Sequence, residues 1–436
     1  MRPRLAAWVV ALLVPSAFCL RAWGAEPAGG TLHLDLAKSV QMAVEVNTSV
    51  LKAKYDLDRS TNYVIGSASA LLPSAGWESS HNRSEVGTPR VVGDQVITTN
   101  RSYSSTFSVS ERVSAPAVLG LFESLANRSA TAQSTRAVRQ QVIYTAKQKY
   151  LEVLRAQRLL VVNQEALDLS NRRLERAQAM LDVGSGVRSD VLRAQVEVGT
   201  NELNLISAAN ALRLAETDIK SFLRIPDGQA VELEDMLETG ENAYTLDGAL
   251  ADAMEMRPDI MATAYSVRAG KTAVWRERSG WVPTLSYSWL RSYHSETFPD
   301  RTLDIWDEAP WQWGIRVGVN LFDGLYTFSS VRIAKAQLRS AKEDFNQVKR
   351  DAALEVKQAF YNMEEARQRV KVSSETVSLA EEELRLAEER YRLGGGTMLE
   401  QIDAQVVLSQ ARSSHIQALH DCLLSQAAMV RATGKD

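Results

Sequence analysis

Cysteine is scarce in this chain, which contains only Cys19 and Cys422. The N-terminus combines early arginines, an apolar run and small residues, a pattern that predicts a secretory signal peptide over residues 1–24, cut before Ala25. Cleavage removes Cys19, so Cys422 has no cysteine left to pair with in an oxidising compartment. Packing and hydrogen bonds must therefore hold the exported fold together.

Lipidation is the alternative fate of Cys19, because a lipoprotein leader ends at a cysteine. Phe18 before it and Leu20 after it fit that signal poorly. The sequence favours ordinary cleavage and leaves lipidation open.

Long hydrophobic runs and a surplus of one charge are also missing. The formal net charge is −3 and no block of basic residues occurs, which argues against nucleic acid as a partner. Beyond the signal peptide, no run approaches the roughly 20 apolar residues of a membrane-spanning helix. If the exported chain enters a bilayer, it must do so as strands of a closed barrel.

The chain does contain an internal repeat, which predicts two structural copies over residues 25–243 and 244–436. The matched pairs keep one constant spacing and include Leu36 and Leu246, Ala43 and Ala253, Pro73 and Pro283, and Gly184 and Gly394.

Each copy begins with helical apolar spacing, over about residues 34–72 and 244–282, and this segment ends at the repeated proline. After the proline the period changes to two, so we predict two strand pairs with polar loops at 85–100 and 294–310. The alternating residues on one face are Tyr103, Phe107, Val109, Val113, Leu285, Tyr287, Trp289, Arg291, Tyr293, Trp311, Trp313 and Ile315.

Two long helices follow, from about residue 116 to 183 and from about 326 to 393, because apolar residues step by four and three as in a coiled coil. At 1.5 Å per residue, each helix would extend about 100 Å. Each ends at a glycine turn, at residues 184–186 and 394–396, and a return helix with its own heptad pattern follows. The sequence thus predicts a mainly α protein with β, built from two helical hairpins and four strands.

Motifs of enzymes are absent: the sequence shows no metal-ligand cluster, no phosphate-binding glycine loop and no nucleophile motif. His415 and Cys422 occupy heptad positions where the first copy has Leu205 and Leu212, which indicates packing. We therefore predict no catalytic residue, no metal and no cofactor.

Four strands cannot close a membrane barrel, since the smallest bacterial barrels have about eight. Oligomerisation is required, and the sequence alone does not choose between two chains and three. A purely structural coiled-coil protein would explain the heptads but would leave the duplicated strand pairs without a purpose.

The mature chain resembles the TolC-type outer-membrane efflux protein family over essentially its whole length. The matching motifs are Glu45 with Asn47, Glu255 with Arg257 and Pro258, Leu321-Phe322-Asp323-Gly324, Gly184 with Asp190, Ala194 and Gln195, and Tyr391 with Gly394, Glu400, Asp403, Ala404 and Gln405.

The resemblance implies a homotrimer with a twelve-strand barrel in the outer membrane of a Gram-negative bacterium and a twelve-helix tunnel in the periplasm. Its partners would be a periplasmic adaptor, an inner-membrane pump and outer-membrane lipid. The expected function is a passive exit channel for small molecules such as drugs, toxic compounds or metals. Export of polypeptides by a type I secretion system is the alternative, and the substrate, pump class and resting gate state stay open.

The resemblance also assigns residues to the periplasmic end. The glycine turns Gly184-Ser185-Gly186 and Gly394-Gly395-Gly396 would form the tip where the adaptor docks. Asp190 and Tyr391 match a hydrogen-bonded pair that helps to close the entrance, although Gly396 stands where some members have an arginine. A capping role for Asp190 and a packing role for Tyr391 form the alternative interpretation.

Glu400 and Asp403 match inward-facing acidic positions of the family, and their spacing places them on one helical face. Three-fold symmetry would gather about six carboxylates at a constriction, which would favour cations. The alternative is that both carboxylates are solvated outside the tube.

The aromatic residues of the second strand pair are typical of a membrane interface. Such aromatic rings form girdles where a barrel leaves the lipid. The expected interfacial residues are Tyr287, Trp289, Tyr293, Trp311 and Trp313.

Overall fold

The computed structural model describes residues 32–435, with gaps at 94, 227, 235–243, 296–305 and 307–308. The predicted signal peptide, residues 1–24, and Cys19 lie outside the described residues.

Elements follow the same order in the two halves of the chain: a short strand, two helices, a strand pair, a long helix and a return helix. The first half contains β1 (Leu32–Leu34), α1 (Leu36–Val46), α2 (Thr48–Ser69), β2 (Ser74–Val92), β3 (Gln95–Val113), α3 (Ala115–Asp182) and α4 (Arg188–Leu223). The second half contains β4 (Val231–Leu233), α5 (Leu246–Met256), α6 (Pro258–Arg278), β5 (Thr284–Ser295), β6 (Trp311–Gly318), α7 (Tyr326–Arg392) and α8 (Met398–Thr433).

The segment before each proline was predicted as one helix and is in fact two. Asn47 breaks the first: its backbone is extended, with ψ 131°, and its side chain caps α2 by accepting from the Ser49 amide at 2.8 Å. Arg257 breaks the second with ψ 122°, because the residue before Pro258 is biased away from helical geometry. The apolar spacing continues through both breaks, so the breaks could not be predicted from it.

The parallel pair of β1 and β4 was not predicted from the sequence; β1 precedes the first helix, and β4 follows the first return helix. Leu32 pairs with Val231 and Leu34 with Leu233. Tyr150 of α3 is fully buried beneath them, and its hydroxyl donates to the Glu234 carbonyl at 2.7 Å. Three-residue strands are too short to show a period of two.

The other four strands form one antiparallel sheet in the order β2-β3-β5-β6. The polar loop predicted at residues 85–100 is wrong, because β2 and β3 continue as a hairpin to a turn at Gly93, whose φ is +64°. Backbone ladder bonds need no apolar side chains, so this extension is polar in sequence. The loop predicted at 294–310 lies largely outside the described residues.

The predicted long helices are confirmed at 68 residues for α3 and 67 for α7, and the return helices α4 and α8 have 36 each. Their heptad residues are buried, among them Val142, Val153, Ala177, Val356 and Met363. Helix α4 packs on α3, α3 on α8, and α8 on α7, so α4 and α7 are the edges of this helical layer.

Among the described residues, no helix combines the length and the apolar character needed to cross a membrane.

Candidate functional site

The two glycine turns at the end of the hairpins share the backbone hydrogen bonds that end the long helices. Gly184 and Gly394 have φ of +74° and +78°, a left-handed conformation that glycine adopts without strain. The Ser185 amide donates to the Met180 carbonyl at 2.9 Å, and the Gly395 amide donates to Arg390 at 2.9 Å. These are the bonds of a Schellman helix stop.

The third residue of each turn is glycine for a different reason, which is space. A Cβ on Gly186 would lie 2.9 Å from the Leu181 nitrogen, and one on Gly396 would lie 3.0 Å from the Tyr391 nitrogen. The middle position is open in the second turn, where a Cβ on Gly395 would meet only the Arg390 oxygen at 3.9 Å. The backbone therefore folds tightly onto the helix end at the third residue.

The predicted partners Asp190 and Tyr391 lie near each other but are not joined by a hydrogen bond in this conformation. The Tyr391 hydroxyl donates instead to Met180 Sδ at 3.7 Å, and an Asp190 oxygen lies 4.0 Å from Arg193 Nη1. Burial raises the pKa of Tyr391, and the charge of Asp190 raises it further. The pair is thus within electrostatic reach, and its role as a clasp stays a prediction.

Both predicted acidic residues of the return helix, Glu400 and Asp403, are exposed in the protomer. The Thr397 side chain caps α8 by accepting from the Glu400 amide at 3.2 Å, so Glu400 lies in the first helical turn. A carboxylate there is favoured by the helix dipole. The structure thus leaves these carboxylates free to face an opening.

A buried ion pair that sequence analysis did not identify joins three helices near this end. Arg173 of α3 donates to Glu197 of α4 at 3.0 Å, and its other terminal nitrogen lies 3.4 Å from Oε1 of Gln405 in α8. The side chains of Arg173 and Glu197 are only 4% and 7% exposed. Burial lowers the pKa of Arg173 and raises that of Glu197, against the attraction of the opposite charge. The available signal was the position of Arg173 between the heptad residues Ser170 and Ala177.

The four-stranded sheet has two chemically different faces. On one face, Val109, Trp289 and Trp313 stand in one row across β3, β5 and β6, and the next row holds Trp77, Phe107, Arg291 and Trp311 across all four strands. The opposite face carries serine, glycine and charged side chains in the matching rows. These include Ser74, Ser110, Ser288, Gly314, Arg112, Ser286 and Arg316.

The apolar face of this sheet is not covered by the protomer. Trp311 and Trp313 are 62% and 59% exposed, and Tyr287 is 40% exposed. Trp289 and Tyr293 are half-buried through edge contacts with Phe107 and Tyr103, at ring-centroid distances of 5.9 and 6.2 Å. The predicted alternation of these residues is confirmed, and their place at a membrane interface is taken up below as a proposal.

The two edge helices also expose apolar stripes at heptad spacing. Large apolar side chains that are at least 46% exposed lie along α4 at Val196, Leu203, Ile206 and Leu214, and along α7 at Leu354, Tyr361, Val372, Leu379 and Leu386. These side chains stay exposed in the described part of the chain, although α3 packs on α4, and α5, α6 and α8 pack on α7.

No group of three or more potential metal ligands occurs in the described residues. His415 Nδ1 instead lies 3.0 Å from Ser373 Oγ, and Cys422 is a buried free thiol. These contacts agree with packing roles for both residues.

We expect Gly396→Ala to loosen the second tip turn, because the added Cβ would overlap the backbone of Tyr391. Overpacking of this kind costs about 1–3 kcal/mol. Hydrogen–deuterium exchange should show faster exchange of the tip amides. Gly395→Ala is the matched control and should leave exchange unchanged; equal exchange in the two variants would contradict the steric argument.

We expect Glu197→Leu to destabilise the helical layer by about 3–5 kcal/mol, because it leaves the Arg173 guanidinium buried and unpaired. The double variant Arg173→Leu, Glu197→Leu should recover most of that loss. Denaturant unfolding in detergent measures both effects. The control Glu165→Leu breaks the exposed pair with Arg412 and should cost less than about 1 kcal/mol; a similar loss in both single variants would refute the assignment.

Comparison with known proteins supports the architecture. The sequence model of the Outer membrane efflux protein family matches residues 249–435. The chain is 24% identical over 300 residues to the outer membrane efflux protein BepC of Brucella suis biovar 1 (strain 1330). This alignment spans 68% of the present chain and 64% of BepC, so just under two thirds of that relative is matched.

The fold is shared over nearly the whole chain with solved outer-membrane channels. A crystal structure of CusC superposes with a TM-score of 0.80 at 16% identity and covers 95% of this chain and 96% of CusC. VceC from Vibrio cholerae superposes with a TM-score of 0.77 at 17% identity and covers 92% and 96% of the two chains. Both lie at identities where likeness shows the fold alone. Residues 249–435 of this chain are thus similar to the Outer membrane efflux protein family, and the chain as a whole shares its fold with solved channel proteins.

Proposed function

We propose that three copies of this chain form an outer-membrane exit channel, with a twelve-strand barrel continued by a twelve-helix periplasmic tunnel. The observation that carries the proposal is a pair of uncovered apolar surfaces on adjoining parts of the protomer. One is the aromatic face of the sheet, and the other is formed by the stripes on α4 and α7. The first surface is suited to lipid and the second to a sister subunit.

The geometry of the sheet supports a barrel shared between subunits. In the described residues, β2 and β6 each pair on one side only, so both edges of the sheet are open. Open edges are not tolerated in lipid, where backbone groups find no water. Pairing β6 of one copy with β2 of the next closes the sheet, and its serine-rich face then lines the interior while the aromatic face meets the acyl chains.

The helical layer supports a tube in the same way. Because α4 and α7 are the two edges, α4 of one subunit can pack against α7 of the next. The heptad spacing of their exposed residues fits the knobs-into-holes packing of neighbouring helices. The pairing of β6 with β2 and the packing of α4 on α7 can therefore be satisfied by one rotational symmetry between subunits.

The names of the relatives point to efflux, since BepC is an outer membrane efflux protein and CmeC of Campylobacter jejuni an outer membrane channel. We propose a passive conduit for small molecules that works with a periplasmic adaptor and an inner-membrane pump. The glycine turns at 184–186 and 394–396 would be the adaptor-docking tip. Asp190 and Tyr391 would act at the constriction together with the Glu400 and Asp403 carboxylates. Tyr287, Trp289, Tyr293, Trp311 and Trp313 would face the lipid interface.

We expect Leu379→Glu to prevent assembly. Leu379 is 73% exposed in the protomer, and the variant would bury an unpaired carboxylate at each subunit boundary. The heat-resistant oligomer should disappear from gels, and sedimentation in detergent should show smaller species. Ser374→Glu adds the same charge at an exposed position away from the stripe and should assemble normally. A stable Leu379→Glu trimer would rule out this surface as the contact.

We expect Asp403→Ala to reduce block of the channel by a trivalent cation. Symmetric carboxylates at a narrow opening bind multivalent cations strongly, and removing one set weakens that field. Single-channel conductance of the variant in a planar bilayer measures the effect. Glu375→Ala removes an exposed acid of α7 as a control. Equal block in Asp403→Ala and the native channel would end the assignment of Asp403 to the constriction.

A further inference from the structure

Arg291 is a cation on the aromatic face of the sheet. It stands in the row of Trp77, Phe107 and Trp311, one row beyond Trp289 and Trp313. Four rows of paired residues run across this face from Leu285 to Arg291. Among the described residues in these rows, Arg291 is the only lysine or arginine on this face. A membrane barrel rarely places an arginine toward lipid without a partner, because a charge on the lipid face is destabilising, most of all near the midplane.

The depth of Arg291 explains how it is tolerated. The helices join the sheet at the row of Val113 and Leu285, and Arg291 lies six residues further along β5 than Leu285. At about 3.3 Å per residue this is about 20 Å, close to the roughly 25 Å height of an apolar barrel band. The next row beyond it contains Ser79, Ser105 and Tyr293, which are polar or typical of a membrane interface. Arg291 therefore lies at the edge of the apolar band that is far from the periplasmic helices, which is the outer-leaflet side.

The surroundings of Arg291 form a recess. A cavity of about 390 Å³ is lined by Trp77, Phe107, Trp289, Arg291 and Trp306. Nε of the guanidinium donates to the Ala309 carbonyl at 3.0 Å, which fixes its orientation. Trp77 is held in turn, since its Nε1 donates to Ser105 Oγ at 3.0 Å. Among the described residues, no carboxylate lies within ion-pair distance of Arg291.

We propose that this recess binds the phosphorylated headgroup of an outer-leaflet lipid. Terminal guanidinium nitrogens match phosphate oxygens in a two-pronged geometry, and a phosphate supplies the missing negative charge. The aromatic walls suit the upper acyl chain and the sugar or glycerol above it. The inference rests on the proposed membrane barrel and adds a lipid partner to it.

The test measures lipid binding to the detergent-purified trimer by native mass spectrometry. The probes are a phosphorylated diglucosamine lipid and its dephosphorylated form. Native protein should prefer the phosphorylated lipid, and Arg291→Gln should weaken that binding about tenfold, the loss of roughly one charged hydrogen bond. Arg291→Lys keeps the positive charge but lacks the paired terminal N–H groups of the guanidinium, so its affinity for the phosphorylated lipid should lie between those of the native protein and Arg291→Gln. Arg316→Gln removes a cation from the opposite face and should bind as the native protein does.

Two results would overturn the proposal: equal affinity of native protein and Arg291→Gln, or no preference for phosphate in the native protein. Displacement of the lipid by inorganic phosphate alone would also overturn it, because the recess would then be a free-anion site. Heat resistance and ion conductance of each sample separate this inference from the channel itself. If both are present and binding is unchanged, only the lipid site fails; if both are missing, the channel fails first.

Discussion

The apolar surface that one protomer cannot cover governs the rest of this structure. A chain that buries its heptad residues between α3, α4, α7 and α8 still leaves a second stripe on each edge helix, because its neighbours in the protomer cover only the other sides of these two helices. The strand pairs likewise put their large side chains on the side away from the serine face. Hydrophobic burial is worth roughly 25 cal/mol per Å² of apolar surface, so surfaces of this kind require a cover. Two different covers are needed in one molecule, and the proposed ring of identical subunits embedded in lipid would supply both.

Much of this architecture could be predicted from the sequence because it is periodic and duplicated. The long helices were placed within a residue or two, since a heptad pattern sustained over more than 60 residues leaves little freedom. The second strand pair was equally clear from its aromatic alternation. The features that were not predicted are local ones, namely the helix breaks at Asn47 and Arg257 and the pairing of β1 with β4. A cap and a three-residue strand are decided by single hydrogen bonds, which leave no periodic trace.

The candidate site likewise contains features that the sequence predicted and features that it did not. The glycine turns that end α3 and α7 were located correctly, because a glycine that must adopt positive φ, such as Gly184 or Gly394, is visible as a residue type. The Arg173–Glu197 pair was missed because a charge next to a heptad position looks like a solvated residue until its neighbours are known. Its unusual burial depends on α3, α4 and α8 meeting at one point, and that meeting is a tertiary property. The Asp190–Tyr391 pair shows the converse, since the motif predicts a hydrogen bond that this conformation replaces with a contact to Met180 Sδ.

The buried ion pair and the tip turns act on the same part of the molecule in opposite ways. A salt bridge out of water contributes little net stability compared with an apolar pair, but it penalises any arrangement that separates its members. Arg173 thereby ties the first hairpin to the second close to the tip, where Gln405 contacts it from α8. Nearer the glycine turns, the described contacts between the hairpins are apolar packing and the weak hydrogen bond from Tyr391 to Met180 Sδ. Contacts of this kind penalise a rearrangement less than the separation of a buried ion pair does. Arg173 lies nine residues before Asp182, the last residue of α3, or about 14 Å along the helix. In the proposed channel, this contrast would let the periplasmic end open while the wall of the tube stays closed.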